Sequence, residues 1–381
     1  MSDPCCPVCA HAPATDLLEL PAVPVLCNVL WPSRAEALAA PRGDLRLAVC
    51  PACGHVFNRA FDPARLEYTQ AYENSLHFSP RFQQYAEALA DDLTARYDLR
   101  GKTVVEIGCG KGEFLALLCA RSGARGLGFD PSYEPGPEAA ALPFTVIRDL
   151  YSARYAHYAA DLIVCRHVLE HIPQPREFVR GVRAAAGERA GTAVFFEVPN
   201  VLYTLRDLGI WDLIYEHCAY FSASSLARLF AEAGLAVRAV SEQYGGQFLT
   251  LHAALGGAPA APPDHQAVLA SAETFAAAYR AKAAEWQARL GGLRRAVVWG
   301  AGSKGVTFLN SLGAGGAIEY VVDINPRKQG RHEAGTGQPI VAPDFLRAYQ
   351  PEAVVVMNPL YVDEIRGQMA QLGLTPAVVC A

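Results

Sequence analysis

Little in this sequence speaks for a membrane, a nucleic acid or a disulfide scaffold. No run approaches the ~18 uncharged apolar residues that a bilayer span needs. The first residues, MSDPCCPVCA, carry neither a basic n-region nor an apolar h-region, so no secretory signal is expected and a cytoplasmic location follows. Lys and Arg number 33 against 38 Asp and Glu, a net charge of −5. No global basic field draws such a chain to nucleic acid. There is no internal repeat, and no heptad marks a coiled-coil partner. Charged residues make up only 19% and apolar ones 51% of 381 residues. That is the balance of a folded chain with two or three domains. Eleven cysteines do not form a disulfide pattern, because most are dispersed singly.

Four stretches differ in texture. Residues 1–62 hold paired cysteines and little helical period. Residues 63–260 alternate short β-branched runs with helical patterns. Residues 261–293 are Ala-rich and helix-forming, and 294–381 restart the strand-helix alternation with RRAVVWGAGSKG. In the second stretch TVVEI, GLGFD, FTVI, DLIVC and AVFFEVP are continuous apolar runs separated by helices, which predicts a parallel sheet covered on both faces. AVRAVSEQ and FLTLHAAL follow closely enough to pair antiparallel. Five alternating units plus a terminal antiparallel pair is the α/β, Rossmann-like layout of a class I methyltransferase.

The glycine turn after the first run is the cofactor signal. Glu106-Ile-Gly108-Cys-Gly110-Lys-Gly112 falls where a strand becomes a helix, and glycines there let a ligand approach the backbone. A dinucleotide site favours G-x-G-x-x-G. The pattern here, acid-x-G-x-G-x-G, resembles the S-adenosylmethionine loop of class I methyltransferases. Asp130 closes the second strand, placed for the ribose hydroxyls. Asp149 follows the third, near the adenine amino group.

Cys6-Pro-Val-Cys9 and Cys50-Pro-Ala-Cys53 give four thiolates on two turns, enough for a closed tetrahedral Zn2+ site. Such zinc has no open position and is structural. A zinc knuckle beside a methyltransferase also fits an RNA-modifying enzyme, but residues 1–60 lack a dense Lys/Arg stripe. The expected partner is a small-molecule substrate.

Two clusters stand where a methyltransferase holds its acceptor. Arg166-His167-Val-Leu-Glu170-His171 follows the fourth strand, and Tyr215-Glu216-His217-Cys-Ala-Tyr220 precedes a helix. Ligand crevices of open α/β sheets lie outside the carboxyl ends of the strands. Arg166, at the strand end, is expected beside the cofactor and His167 beside the substrate. A histidine there serves either as general base or as a loop cap. Tyr68 and Tyr72, upstream, either line the same pocket or pack. A base is needed for an oxygen or carbon acceptor, so an O-methyltransferase is the alternative to a C-methyltransferase.

Taken together, CxxC…CxxCG, VVEIGCGKGEFL, HVLEHI, YEHCAYFS and the closing VVWGAGSKG…VVDINPRKQG resemble the three-part sugar C-methyltransferases. The resemblance covers essentially the whole chain. It implies an N-terminal zinc-binding domain, a central methyltransferase domain and a C-terminal half-Rossmann α/β domain. It further implies methylation of the carbon alpha to the ketone of a TDP-linked 4-keto-deoxysugar through an enolate. Matched residue by residue, Glu216-His217 correspond to the family's Glu-His pair with His217 as base. His171 corresponds to a loop histidine near the keto oxygen, and Tyr72 to a pocket tyrosine. The family often reads Tyr-x-Glu-His. Here Tyr215 directly precedes Glu216, leaving Ile214 where that tyrosine falls, and Tyr215 is kept among the catalytic candidates.

Near the C-terminus, Gly300-Ala-Gly302-Ser-Lys304-Gly305 follows a strand, and Asp323 ends the next one. Alone this meets the dinucleotide fingerprint, so an NAD oxidoreductase competes. Too little chain remains for a dinucleotide domain plus a substrate domain. The resemblance offers another use, in which Lys304 and the helix start hold the substrate's diphosphate.

Overall fold

The computed structural model describes all residues except 1–4, 12, 67–71, 136–141, 188, 190, 257–263 and 314–315. The strands are β1 (Thr15–Pro24), β2 (Arg42–Val49), β3 (Val56–Asn58), β4 (Thr103–Ile107), β5 (Arg125–Phe129), β6 (Phe144–Ile147), β7 (Leu162–Arg166) and β8 (Ala193–Pro199). Then come β9 (Ala219–Tyr220), β10 (Leu235–Gln243), β11 (Phe248–Leu255), β12 (Ala296–Trp299), β13 (Ile318–Val322), β14 (Ile340–Val341), β15 (Ala353–Val356) and β16 (Ala377–Cys380).

The central sheet has the order β10-β11-β8-β7-β4-β5-β6. Its five apolar runs are parallel, while β11 lies antiparallel to β8 and β10 antiparallel to β11. This is the class I methyltransferase arrangement. The pleat explains why these runs do not alternate with polar residues. Val104, Leu162 and Phe195 face the helices Pro80–Tyr97 and Glu113–Ser122, whereas Val105, Ile163 and Phe196 face Pro175–Ala186 and Ala223–Glu232. Side chains of both parities are therefore in a core, and each fully buried Val, Leu or Phe contributes ~1.5–3 kcal/mol.

The N-terminal sheet is antiparallel, in the order β1-β2-β3-β9. Its fourth strand, β9, comes from the central stretch of the chain, directly after the His217 loop, and pairs Val56 with Tyr220. The C-terminal sheet is all parallel, in the order β14-β13-β12-β15-β16. That is five strands of a Rossmann order. Helix His265–Gly291 joins the three units, burying Val268, Ala272, Phe275, Tyr279, Trp286 and Leu290 along one stripe. That stripe shares a core with Leu45 and Leu47 of β2 and with Phe308 and Leu309 of the C-terminal unit. Among the described residues, no helix is long and apolar enough to cross a membrane.

Candidate functional site

A cavity of about 420 Å³ opens between the carboxyl ends of β4 and β7, the His217 loop and the Gly300–Lys304 turn. One wall is the glycine turn. Gly108 takes a φ of +67°, and a Cβ there would sit 2.3 Å from Val168 Cγ2. Only glycine follows β4 without pushing that side chain away. The space beside Gly110 is open. Beneath the turn, burial pushes the Glu106 carboxyl up to about 8 against the pull of Arg166, and its Oε2 has no hydrogen-bond partner. Asp130 accepts from the Gly110 N–H at 2.9 Å and from the Ser132 N–H and hydroxyl. A carboxylate accepts about four bonds, so capacity remains for a ribose hydroxyl. Asp149 accepts from Tyr155 Oη and from the Leu150 N–H, pairs with Arg154 and does not line the cavity. Gly112 lies behind the turn against Phe144.

Arg166 lines the cavity but is committed inward. Its Nε and Nη2 donate to Glu197 Oε1 at 3.1 and 2.7 Å, and its guanidinium lies 4.1 Å over the Phe114 ring. Tyr85 Oη also donates to Glu197. His167, in a left-handed backbone conformation (φ +53°), brings Nε2 to 2.9 Å from Glu197 and Nδ1 to 3.6 Å from Glu170. Burial alone would lower the His167 pKa, but these carboxylates outweigh it and hold the ring up to about 9. Burial likewise opposes ionisation of Glu197, yet Arg166 and His167 bring it down to about 2.

The second loop carries the other histidines. Tyr220 Oη donates to the Ile214 carbonyl at 3.0 Å and accepts from the Ile214 N–H, closing the loop over residues 214–220. Ser222 and Ser225 then form a capping box that fixes where the next helix begins. His217 lines the cavity and stands edge-on to His171, with ring centroids 4.9 Å apart. Burial, reinforced by His171, pushes the His217 pKa down to about 3. His171 Nδ1–H donates to the Glu216 carbonyl at 3.1 Å. Glu216 is buried behind the wall: its carboxylate accepts from the Cys27 N–H and from Tyr72 Oη, both at 2.7 Å. Tyr72 itself lines the cavity.

The structure brings His167, His171, His217, Tyr72, Glu106, Gly108, Gly110, Arg166 and Lys304 to this cavity. It does not bring Tyr215. That hydroxyl accepts from the Asp62 N–H at 2.9 Å, and its ring fills the space that a Cβ on Gly43 would need. Ile214 lines the cavity instead, because Tyr215 follows it on the turn and points into the N-terminal unit. Tyr68 lies outside the described residues. Lys304 forms an ion pair with Asp212 and sits 5.3 Å over the Tyr203 ring, so a neighbouring carboxylate already neutralises it. Asp323 accepts from the Ala301 and Asn325 N–H groups, both at 2.8 Å. Asn28 and Asp212, both lining residues, went unnoticed in the sequence because neither sits in a motif.

The two cysteine pairs converge. Cys6, Cys9, Cys50 and Cys53 bring their sulfurs within 4.8 Å of one another, with 3.6 Å for Cys6–Cys53 and 3.5 Å for Cys9–Cys50. Tetrahedral zinc with ~2.3 Å bonds sets its sulfurs ~3.8 Å apart, so the donor set fits.

Strand order and glycine turn together define a class I, S-adenosylmethionine-dependent methyltransferase. Comparison with known proteins narrows this. A "Methyltransferase domain" family matches residues 81–240, and a "C-methyltransferase C-terminal domain" family matches 273–375. C-methyltransferase NovU of Streptomyces niveus is 28% identical, over 94% of this chain and 90% of its own length. A ubiquinone biosynthesis O-methyltransferase of Proteus mirabilis is 36% identical over 32% of this chain and 49% of its own. Among solved structures, magnesium protoporphyrin IX methyltransferase of Synechocystis PCC 6803 covers 46% of this chain and 84% of its own, at 18% identity and a TM-score of 0.36. The chain is thus similar to a C-methyltransferase over nearly its whole length, and it joins a cysteine-rich N-terminal unit, a methyltransferase domain and a C-methyltransferase C-terminal domain.

Proposed function

We propose that the chain methylates the carbon alpha to the ketone of a nucleotide-linked sugar, a TDP-4-keto-deoxysugar, in natural-product sugar biosynthesis. The observation that carries this reading is the facing pair of turns. The Glu106–Gly110 bend and the His217 loop line one cavity with the Gly300–Lys304 turn across from them. In this reading one cavity takes the donor, the reacting centre and the nucleotide end together.

The donor, S-adenosylmethionine, supplies an electrophilic methyl group. Glu106, Gly108, Gly110 and Asp130 hold it, while Asp149 stays outside the cavity on Tyr155 and Arg154. The protein must then create a carbon nucleophile. His217, neutral in its buried setting, takes the proton from the acceptor carbon and leaves the electron pair as an enolate. His171 keeps its Nδ1 proton on the Glu216 carbonyl, so its Nε2 faces the site. Tyr72 is held by Glu216 and orients the keto-sugar. In this reading Glu216 acts through Tyr72 and His171 rather than on the substrate. Positioning of donor and carbon supplies much of the remaining barrier reduction. The amides at the start of helix Ser303–Leu312 receive the diphosphate, and Lys304 reaches it only by exchanging its ion pair with Asp212. The four-cysteine cluster holds structural zinc. All eleven cysteines are unbridged, as in a reducing cytoplasm.

The test is turnover of S-adenosylmethionine with a TDP-4-keto-deoxysugar, followed by NMR of the product. The new methyl is expected on carbon, with solvent deuterium entering that carbon when the donor is absent. A methyl on oxygen would instead favour the O-methyltransferase reading. His217→Ala is expected to lose turnover while binding S-adenosylhomocysteine normally.

A further inference from the structure

The buried carboxylate of Glu170 has no part in the chemistry described so far. It sits on the single turn Leu169–His171 after β7, is 1% exposed and faces the cavity. One of its oxygens, Oε2, is buried without a hydrogen-bond partner, and so is His217 Nδ1. A carboxylate oxygen of Glu170 and one ring nitrogen each of His171 and His217 lie within 4.8 Å of one another. The other Glu170 oxygen, Oε1, lies 3.6 Å from His167 Nδ1; a buried carboxylate oxygen and a buried imidazole nitrogen left without partners are each costly unless the arrangement serves a later state.

That later state is the protonated base. A buried imidazole resists taking a proton, and the groups acting on His217 differ in sign. His171, His167 and Lys304 disfavour its cation, whereas Glu170 favours it. Glu170 is itself faced by His167, His171 and His217, which overcome its burial and keep it ionised. The neighbouring Cys165 thiol stays neutral because of its burial.

We propose that Glu170 is the positioning residue of this site: its carboxylate orients the His171–His217 pair and is the counter-charge that His217 meets when it takes the acceptor's proton. This rests on His217 being the base. In the step, the acceptor C–H bond breaks and its proton passes to a ring nitrogen of His217, while the electron pair stays on the substrate as the enolate. As the new C–C bond forms the S–CH₃ bond breaks, and the proton on His217 returns to water. The imidazolium exists only between these events, and Glu170 stabilises it there without touching substrate.

The experiment compares Glu170→Gln, Glu170→Asp and His217→Ala in the full chain, with S-adenosylmethionine and a TDP-4-keto-deoxysugar. Glu170→Gln, equal in size, is expected to lower kcat by ~10–100-fold, within the ~10²–10⁴ of a general base. KM and S-adenosylhomocysteine affinity should stay within about twofold. The acid limb of the kcat profile should move about one pH unit lower, since a missing anion weakens the base. Glu170→Asp keeps the charge and should keep the wild-type limb. The ¹⁵N shifts of His171 and His217, read without acceptor, provide a second measure and should move in the Gln variant. Wild-type kcat and limb in Glu170→Gln, or unmoved ring shifts, would overturn the proposal. So would a second equivalent of bound divalent metal, beyond that of the cysteines, that disappears in Glu170→Gln. Full activity in His217→Ala sinks the base assignment itself, whereas a dead His217→Ala beside a fully active Glu170→Gln sinks only the role of Glu170.

Discussion

Replacing Tyr72 by Phe tests how the N-terminal unit holds the reacting loop. Tyr72 Oη donates to Glu216 Oε2 at 2.7 Å while the Cys27 N–H donates to Oε1 at 2.7 Å. A hydrogen bond to a buried charge contributes ~1.5–3 kcal/mol, so Tyr72→Phe should cost about 2 kcal/mol. At ~2.1 cal/mol/K per residue of unfolding entropy, a chain of 381 residues melting as one unit shifts by ~1–1.5 °C per kcal/mol. The expected drop is therefore about 2–3 °C. Glu216→Gln should lose less. Its amide carbonyl can stay on Cys27, and its NH₂ can donate to the phenol oxygen, reversing that bond rather than removing it. The double variant should fall short of the sum by about 1 kcal/mol, the signature of a shared contact. Activity is the sharper readout. The Glu216 carbonyl anchors His171, and His217 follows it in the chain, so each variant should lose kcat at least ~10-fold while still binding S-adenosylhomocysteine. Wild-type melting and kcat in Tyr72→Phe, with strictly additive losses in the double variant, would refute this account.

Three further outcomes follow. Asp130→Ala removes the acceptor of the Gly110 N–H and the expected ribose partner, so S-adenosylhomocysteine affinity by calorimetry should fall at least ~10-fold, about 1.4 kcal/mol; unchanged affinity would place the donor elsewhere. Cys50→Ser should lose the metal proposed for the four cysteines, measured by elemental analysis, and abolish turnover, because β3 pairs with β9 beside His217. A metal-free yet active variant would contradict this. Glu106 gives a pH dependence. Its carboxyl is raised from 4.5 to about 8 by burial, so the folded chain holds more protons than the unfolded one between those values. Stability from this group is therefore present below 4.5 and is lost as pH rises through about 8. Glu106→Gln should flatten that part of the melting-temperature profile, and an unaltered slope would assign it to other groups.

The central sheet was legible because its signals are local. A run such as Thr103–Ile107 followed by three glycines states strand, turn and helix within a dozen residues, and the C-x-x-C pairs likewise announce their own convergence. What stayed hidden depends on contacts far apart in sequence. Nothing near Tyr215 shows that its hydroxyl meets Asp62 or that its ring packs against Gly43, and with that side chain turned into the N-terminal unit Ile214 faces the cavity. Lys304 reads as a partner for the diphosphate, and its ion pair with Asp212, 92 residues away, gives no local sign. Glu170 was visible as a letter beside His171, but that its Oε2 is left without a donor is a property of packing that no spacing encodes.

The same distant contacts tie the three folded units together around one cavity. Glu73, 3% exposed and next to Tyr72, pairs both with Lys111 of the glycine turn and with Arg327 of the C-terminal unit. Gln247 of the central unit exchanges amide hydrogen bonds with Asn358 of the C-terminal one at 3.0 and 2.9 Å. Ser79, capping helix Pro80–Tyr97, also donates to Glu364. The segment from Tyr72 to Ser79 is thus pinned at one end by Glu216 and by the buried Glu73 carboxylate shared between two units, and at the other end by Glu364. Cutting the Glu73 contacts would leave each sheet its own core but release the wall between the glycine turn and the C-terminal unit. Glu73→Gln should accordingly raise KM for both substrates at once while barely moving the melting point, because the lost pairs are partly exposed on their cationic side and such pairs add only ~0–1 kcal/mol. A KM change confined to one substrate would show that the wall does not couple the two ends of the cavity.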